Sequence, residues 1–255
     1  MAKFPVRTSA FLMAMCAVVP TSVATSANAS PNNIFSSCQA IRQANPSAPD
    51  GNYVLFNNGH VFTVYCHAMQ TAPAEYINLA KTGRRANFSQ YTAGGASPGT
   101  DVRTTFTKLR VNPATLTVDI GDLTFATSTG SLRHSGSQTV TSMPYGVAMS
   151  CVAPLRADGR AKIDLRGTPY RVDNTFATGG FEPAGTARIR ARNQVVDLTG
   201  GGFCGWMMPA PVRFDPFNPS PGLYNLKLNC AERGTTHGHR HRHRPVCYRL
   251  NTATN

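Results

Sequence analysis

The residue pair with the most obvious chemical potential is Cys66-His67, at the end of DGNYVLFNNGHVFTVYCHAM (Asp50 to Met69). A thiol beside an imidazole can be a nucleophilic dyad, half of a metal site, or a disulfide anchor that precedes a histidine. The dyad fails on geometry, because consecutive strand residues point to opposite faces and cannot readily hydrogen-bond. A second pattern is the tract in which His237, His239, His241 and His243 alternate with Gly238, Arg240, Arg242 and Arg244. Extended, it puts all four imidazoles on one face, where zinc or another transition metal could be held. The interleaved guanidinium charges oppose a cation, and Glu232 is the nearby carboxylate. A solvated basic loop is the competing reading.

Arginines form a third pattern. Arg188, Arg190 and Arg192 alternate with Ala187, Ile189 and Ala191. On a strand they would make a ladder along one face, spaced about 6.6 Å apart. Arg188, Arg190, Arg192, Arg240, Arg242 and Arg244 are therefore candidate anion-binding residues, since each guanidinium can hold a sulfate, phosphate or carboxylate with two hydrogen bonds. The same charges also protect an exposed strand from edge-to-edge aggregation.

Tests for a catalytic centre give little. Zinc-protease chemistry of the HExxH type needs a His-Glu dipeptide, and none occurs. Gly95-Ala96-Ser97-Pro98-Gly99 has the G-x-S-x-G form, but the residue after the nucleophile must donate its backbone N–H to the oxyanion, and Pro98 has none. Asp119, Asp122 and Glu75 could supply paired carboxylates, although turn-forming is the commoner use of aspartate. No catalytic residue is assigned.

These residues must be positioned by an exported, mostly-β chain. Lys3 and Arg7 precede an apolar run, Phe11 to Val19, and Ala27-Asn28-Ala29 offers a cleavage site. Residues 1–29 are expected to be a signal peptide, with no transmembrane segment left after its removal. The apolar run is shorter than the roughly 20 residues that span a bilayer. Cys38, Cys66, Cys151, Cys204, Cys230 and Cys247 then remain, an even set in an oxidising compartment, extracellular or periplasmic. The spacing leaves the pairing open. We prefer the sequential one, Cys38–Cys66, Cys151–Cys204 and Cys230–Cys247. The formal net charge of +13 suits anionic glycans or lipid headgroups, while export excludes intracellular nucleic acid.

Short alternating runs between Gly, Pro and Asn predict a disulfide-stabilised β-sheet domain with one short N-terminal helix. The helix is expected over Ser36 to Asn45, with Ile34, Cys38 and Ile41 on one face and Pro46 as its stop. Asn58-Gly59 predicts a two-residue type I′ hairpin, with Leu55 opposite Phe62 and Tyr53 opposite Val64. Apolar residues on both sides predict that this hairpin is central and buried on both faces. Thr104 to Gly130 reads as three strands. Residues 30–208 form the expected β domain. Residues 209–255 form a Pro-rich connector and a His/Arg-rich, disulfide-closed tail.

DGNYVL and VYCHAM (within 50–69), EYINL (75–79), QYTAGG (90–95) and TTFTKLRV with LTVDIGDLTFATSTG (within 104–130) carry a family resemblance, together with YGVAMSC (145–151), AKIDLRGTPYRV (161–172) and GGGFCGW (200–206). In this order they resemble a GON domain, the C-terminal module of secreted ADAMTS-type metalloproteases that also occurs in bacterial exported proteins. The resemblance covers about two-thirds of the chain. It implies an extracellular, disulfide-bonded, β-rich ancillary module, associated in those proteases with matrix targeting and secretory trafficking. The family is richer in cysteine, and the Cys that the resemblance leads one to expect soon after Cys204 is missing from Cys204-Gly205-Trp206-Met207. The expectation is a secreted, non-catalytic module that binds an extracellular or cell-surface macromolecule, such as a polyanionic glycan or lipid. The alternative is a zinc-dependent secreted hydrolase or metalloprotease-associated protein.

Overall fold

Asn58 and Gly59 adopt φ of 49° and 78°, the left-handed pair that a type I′ turn requires. The flanking strands take the register this turn dictates, with Leu55 opposite Phe62 and Tyr53 opposite Val64. The computed structural model describes residues 34–134, 138–211, 216–217, 225–231 and 247–249. Its elements begin with α1 (Cys38–Ala44), β1 (Gly51–Asn57), β2 (His60–His67), β3 (Ala74–Asn78), β4 (Phe88–Thr92) and β5 (Val102–Phe106). They continue with β6 (Lys108–Asn112), β7 (Thr117–Asp119), β8 (Ala126–Thr129), β9 (Leu132–His134), β10 (Gln138–Val140) and β11 (Ala148–Ser150). The last are β12 (Gly159–Asp164), β13 (Tyr170–Val172), β14 (Phe176–Arg190), β15 (Val195–Pro209), β16 (Asn225–Cys230) and β17 (Cys247–Arg249).

Ser37 caps α1, its Oγ accepting from the Ala40 N–H at 3.1 Å. Cys38 and Ile41 are buried as expected, but Ile34 is exposed, because it precedes the cap and lies off the helix face. An eight-stranded sheet runs in the order β1-β2-β3-β6-β7-β16-β13, with β17 also beside β2. The hairpin is therefore not central. β1 is an outer strand, bridged on its far edge by Phe35, and Val54 is half exposed.

A seven-stranded sheet runs β11-β15-β12-β4-β5-β8, with β14 on β15. The expected run of three strands over Thr104 to Gly130 is four strands divided between the two sheets. The chain leaves β5 at Thr107 and enters β6 in the other sheet, where the Leu79 N–H donates to the Thr107 carbonyl at 3.0 Å. Phe106 and Leu109 are both buried, and their separation of three breaks the two-residue period at the crossing.

One apolar core joins the two sheets and includes Leu55, Phe62, Ile77, Phe106, Ile163 and Leu198. Its main polar node is Asn87. The amide donates to the Lys81 and Asp164 carbonyls and accepts from the Tyr145 hydroxyl at 2.6 Å and the Asp164 N–H at 2.8 Å. Burial, followed by the nearby Asp164 charge, pushes the Tyr145 hydroxyl well above its ordinary pKa, so it serves as a donor.

The disulfides join Cys38 to Cys66, Cys151 to Cys204 and Cys230 to Cys247. The first ties α1 to β2, and the second ties the end of β11 to the middle of β15. Three such cross-links suit an oxidising, extracellular setting. Among the described residues no helix is long and apolar enough to cross a membrane.

Candidate functional site

A row of charged side chains lies on the outer face of the seven-stranded sheet. Alternation in β12 sends Ala161 and Ile163 into the core and leaves Arg160 and Lys162 outside. In β15 the same rule buries Val196 and Leu198 and turns Asp197 and Thr199 outward. The register aligns one row across six strands: Arg188, Asp197, Lys162, Phe88, Thr105 and Thr127. The next outward row carries Thr186, Thr199 and Arg160, with Gln90, Arg103 and Thr129 in line on the neighbouring strands.

Asp197 organises the cations. Its Oδ2 accepts from Arg190 Nε at 2.8 Å and Nη2 at 2.6 Å, and its Oδ1 lies 4.0 Å from Lys162 Nζ. Arg103 lies flat on Phe88, its guanidinium carbon 3.5 Å from the ring centroid. Its Nη1 donates to Gln90 Oε1 at 2.5 Å, and Nη2 donates to the Arg84 carbonyl. Burial, followed by the nearby Arg84 charge, pulls Arg103 below its ordinary pKa. Asp164, close by, pairs with Arg166 at 2.5 Å. Arg188 and Arg160 are exposed and Lys162 is half-buried on this face; Arg160 Nη1 donates to the Ala157 and Gly159 carbonyls at 2.6 and 3.1 Å. Rows about 6.6 Å apart along strands and about 4.8 Å apart across them present an ordered array of donors.

Only part of the expected arginine ladder forms. Arg188 and Arg190 share a face, but β14 ends at Arg190. Ala191, Arg192 and Asn193 all take left-handed φ, of 54°, 54° and 63°, to reverse the chain into β15. Arg192 therefore sits on the turn. Arg160, Lys162 and Arg103 complete the face instead. The signal for Arg160 and Lys162 was present in the alternation of GRAKID, but only strand pairing places β12 next to β15, whose other edge carries β14, and puts β5 in the same sheet. His237, His239, His241, His243, Arg240, Arg242 and Arg244 lie outside the described residues. Among those described, no group of three His, Cys, Asp or Glu side chains is arranged to hold a metal.

Cys66 and His67 separate as strand geometry requires. Cys66 is buried in its disulfide, whereas His67 is on the opposite face with Nδ1 2.9 Å from Asp50 Oδ2. Asp50 also accepts the N–H groups of Met69 at 2.7 Å and Ala68 at 2.9 Å. Those backbone bonds, with the Met69 bond strongest and outweighing the cost of burial, hold its carboxyl below the ordinary range. His67 packs edge-on against Tyr76 and Phe125, with centroids 5.9 and 5.0 Å away. Lys108 Nζ sits 4.8 Å from the Tyr65 centroid and 4.6 Å from that of Phe125.

The other catalytic motifs are also in structural use. Ser97 is fully buried, with Oγ 2.7 Å from the Tyr91 hydroxyl, and the same hydroxyl lies 2.9 Å from His134 Nδ1. Asp119 and Asp122 accept backbone N–H groups two residues on, at 3.0 Å each. Glu75 accepts the Cys38 N–H at 2.7 Å at the start of α1.

Comparison with known proteins places this geometry. Residues 35–97 and 94–214 match the family model of the GON domain. A disintegrin and metalloproteinase with thrombospondin motifs gon-1 of Caenorhabditis elegans is 27% identical over 226 residues, covering 78% of this chain and 10% of that protein. A disintegrin and metalloproteinase with thrombospondin motifs 20 of Homo sapiens is 23% identical over 203 residues, covering 69% of this chain and 10% of its own length. The chain thus spans about a tenth of each of these relatives. No solved structure gives a significant match. With both matched segments falling on the two-sheet body described above, the chain belongs to the GON domain family.

Proposed function

We propose that this chain is a secreted, non-catalytic binding module that holds an anionic polymer of the extracellular space or cell surface. The observation that carries the reading is the outer row Arg188–Asp197–Lys162 with Arg160 beside it, three adjacent strands contributing to one basic face. Strands fix the backbone beneath these side chains, so binding has to order only the side chains themselves. Guanidinium groups add two-point hydrogen bonding to sulfate or carboxylate. The relatives' names join this domain to metalloproteinases, and a metalloproteinase-associated role fits a module that localises rather than cleaves.

The test is retention of the full chain on a sulfated-polysaccharide column during a salt gradient. Arg160→Glu, Lys162→Glu and Arg188→Glu, singly and combined, should elute at progressively lower salt with unchanged thermal stability. Retention unaffected by the combined substitution would remove this face as the binding surface.

A further inference from the structure

The basic face ends at an apolar knob with a different chemistry. β14 and β15 do not run straight. β15 folds back on itself, so that a Cβ on Gly205 would collide with the Gly201 carbonyl, and Gly200 abuts the Met207 nitrogen. The fold-back presents Phe181 and Phe203, which are 62% and 42% exposed with ring centroids 5.9 Å apart. Beside them runs the loop after β11, since the Gly202 N–H donates to the Arg156 carbonyl at 2.7 Å. That loop holds Leu155, 82% exposed.

The apex is held rather than loose. Cys204, next to Phe203, is bonded to Cys151 in the core. Leu155 and Glu182 have φ of 59° and 45°, a left-handed backbone unusual for residues with a side chain. Strain of this kind persists only where the surroundings impose it, and at Leu155 it accompanies an apolar side chain that is turned toward water. Three large apolar side chains projecting from one stapled apex are not the scattered surface residues found on every protein.

We propose that this apex inserts into the surface of an anionic lipid bilayer. The apolar groups stand out as a convex knob, which a fluid interface accepts without a matching pocket. Charge selects the lipid. The chain carries a formal +13, and Arg156, Arg160, Lys162 and Arg188 lie on the elements that lead to the apex. The acidic groups nearby are Glu182 at the apex and Asp158, which is paired with Arg156 at 3.0 Å. Aromatic and leucine side chains flanked by arginine suit the boundary between headgroups and acyl chains. This goes beyond the polymer reading, with which it shares the extracellular setting and the cations Arg160, Lys162 and Arg188, and adds the apolar apex as the inserting element.

The single tryptophan makes the test direct. Trp206 lies under Gly180, with no room for a Cβ between them, so its fluorescence reports on the apex. The full chain is mixed with phosphatidylcholine vesicles, with or without phosphatidylglycerol, whose acyl chains are brominated. Sedimentation with the anionic vesicles and quenching of Trp206 are expected. Phe181→Ser, Phe203→Ser and Leu155→Asn should each weaken vesicle binding about tenfold, the loss expected for removing one buried apolar side chain. Retention on the sulfated-polysaccharide column should be unchanged. Leu155→Asn keeps the fold testable, because Asn tolerates the left-handed backbone.

Absence of quenching, or quenching that survives all three substitutions, would overturn the lipid proposal. So would equal loss of vesicle and polysaccharide binding in the apex variants, which would make the apex part of the polymer site. Vesicle insertion without polysaccharide retention would sustain this proposal and sink the polymer reading alone.

Discussion

Arg190 reaches diagonally across the β14–β15 pair to Asp197, with both Nε and Nη2 donating to the same carboxylate oxygen at 2.8 and 2.6 Å. Asp197 thereby holds one cation outright and faces a second, Lys162, at 4.0 Å. The acidic residue at the centre of the basic face acts as an internal competitor for any anion that binds there.

Asp197→Asn should therefore tighten anion binding. The expected result is elution from a sulfated-polysaccharide column at higher salt than wild type. Because both partners are substantially exposed, stability should change by less than about 0.5 kcal/mol. Circular-dichroism melts beside the column runs check both halves.

Asn87→Ala should cost about 3 kcal/mol, because it leaves the Lys81 and Asp164 carbonyls, the Asp164 N–H and the Tyr145 hydroxyl without their partner in the core. Tyr145→Phe removes only one of those bonds and should cost about 1 kcal/mol. Urea unfolding of the two variants tests the ordering. Equal losses would show that the amide is not the node.

Acid should weaken the fold in a defined window. Asp50 and Asp164 both titrate below the ordinary value of 3.8 in the folded chain. For Asp50 the Met69 N–H bond leads; for Asp164 burial opposes the shift, and the Arg166 hydrogen bonds overcome it. A carboxyl whose folded pKa is depressed adds stability that is complete above the unfolded value. That stability disappears as pH falls through the lower folded value. Unfolding free energies measured through this range should drop less steeply for Asp50→Asn than for wild type.

Chain purified without an affinity tag and dialysed should retain metal well below one equivalent. The guanidinium groups of Arg240, Arg242 and Arg244 alternate with the imidazoles and repel a cation. Elemental analysis reads this directly. Stoichiometric zinc, with hydrolysis lost on replacing His237, His239, His241 and His243, would favour the metal-dependent hydrolase instead.

Local chemistry was legible, as was the sequential disulfide pairing, but the placement of strands within the sheets was not. The Asn58-Gly59 turn set its own register, Ser37 capped its helix, and alternation turned Cys66 inward and His67 outward. Each needs only neighbours in sequence. The position of β1 at the sheet edge depends on which strand lies beyond it, and nothing within Asp50 to Met69 encodes that. Arg192 was misplaced for a local reason. Ala187 to Arg192 alternates perfectly, yet the turn begins inside it, and Ala-Arg-Asn carries no glycine to mark three left-handed residues. Arg160 and Lys162 were overlooked because an Arg and a Lys in one short strand mean little until pairing sets them beside Asp197 and Arg188.

The pairing of β17 with β2 has a consequence for how the chain is made. Cys247 lies opposite Phe62, so one of the last strands in the sequence is hydrogen-bonded to one of the first. β16, from the same late segment, fills the gap between β7 and β13. The eight-stranded sheet cannot close until both the early and the late segments have been synthesised. Closing loops of that length is entropically costly and kinetically slow. Assembly of that sheet therefore waits on the segment that carries β16 and β17.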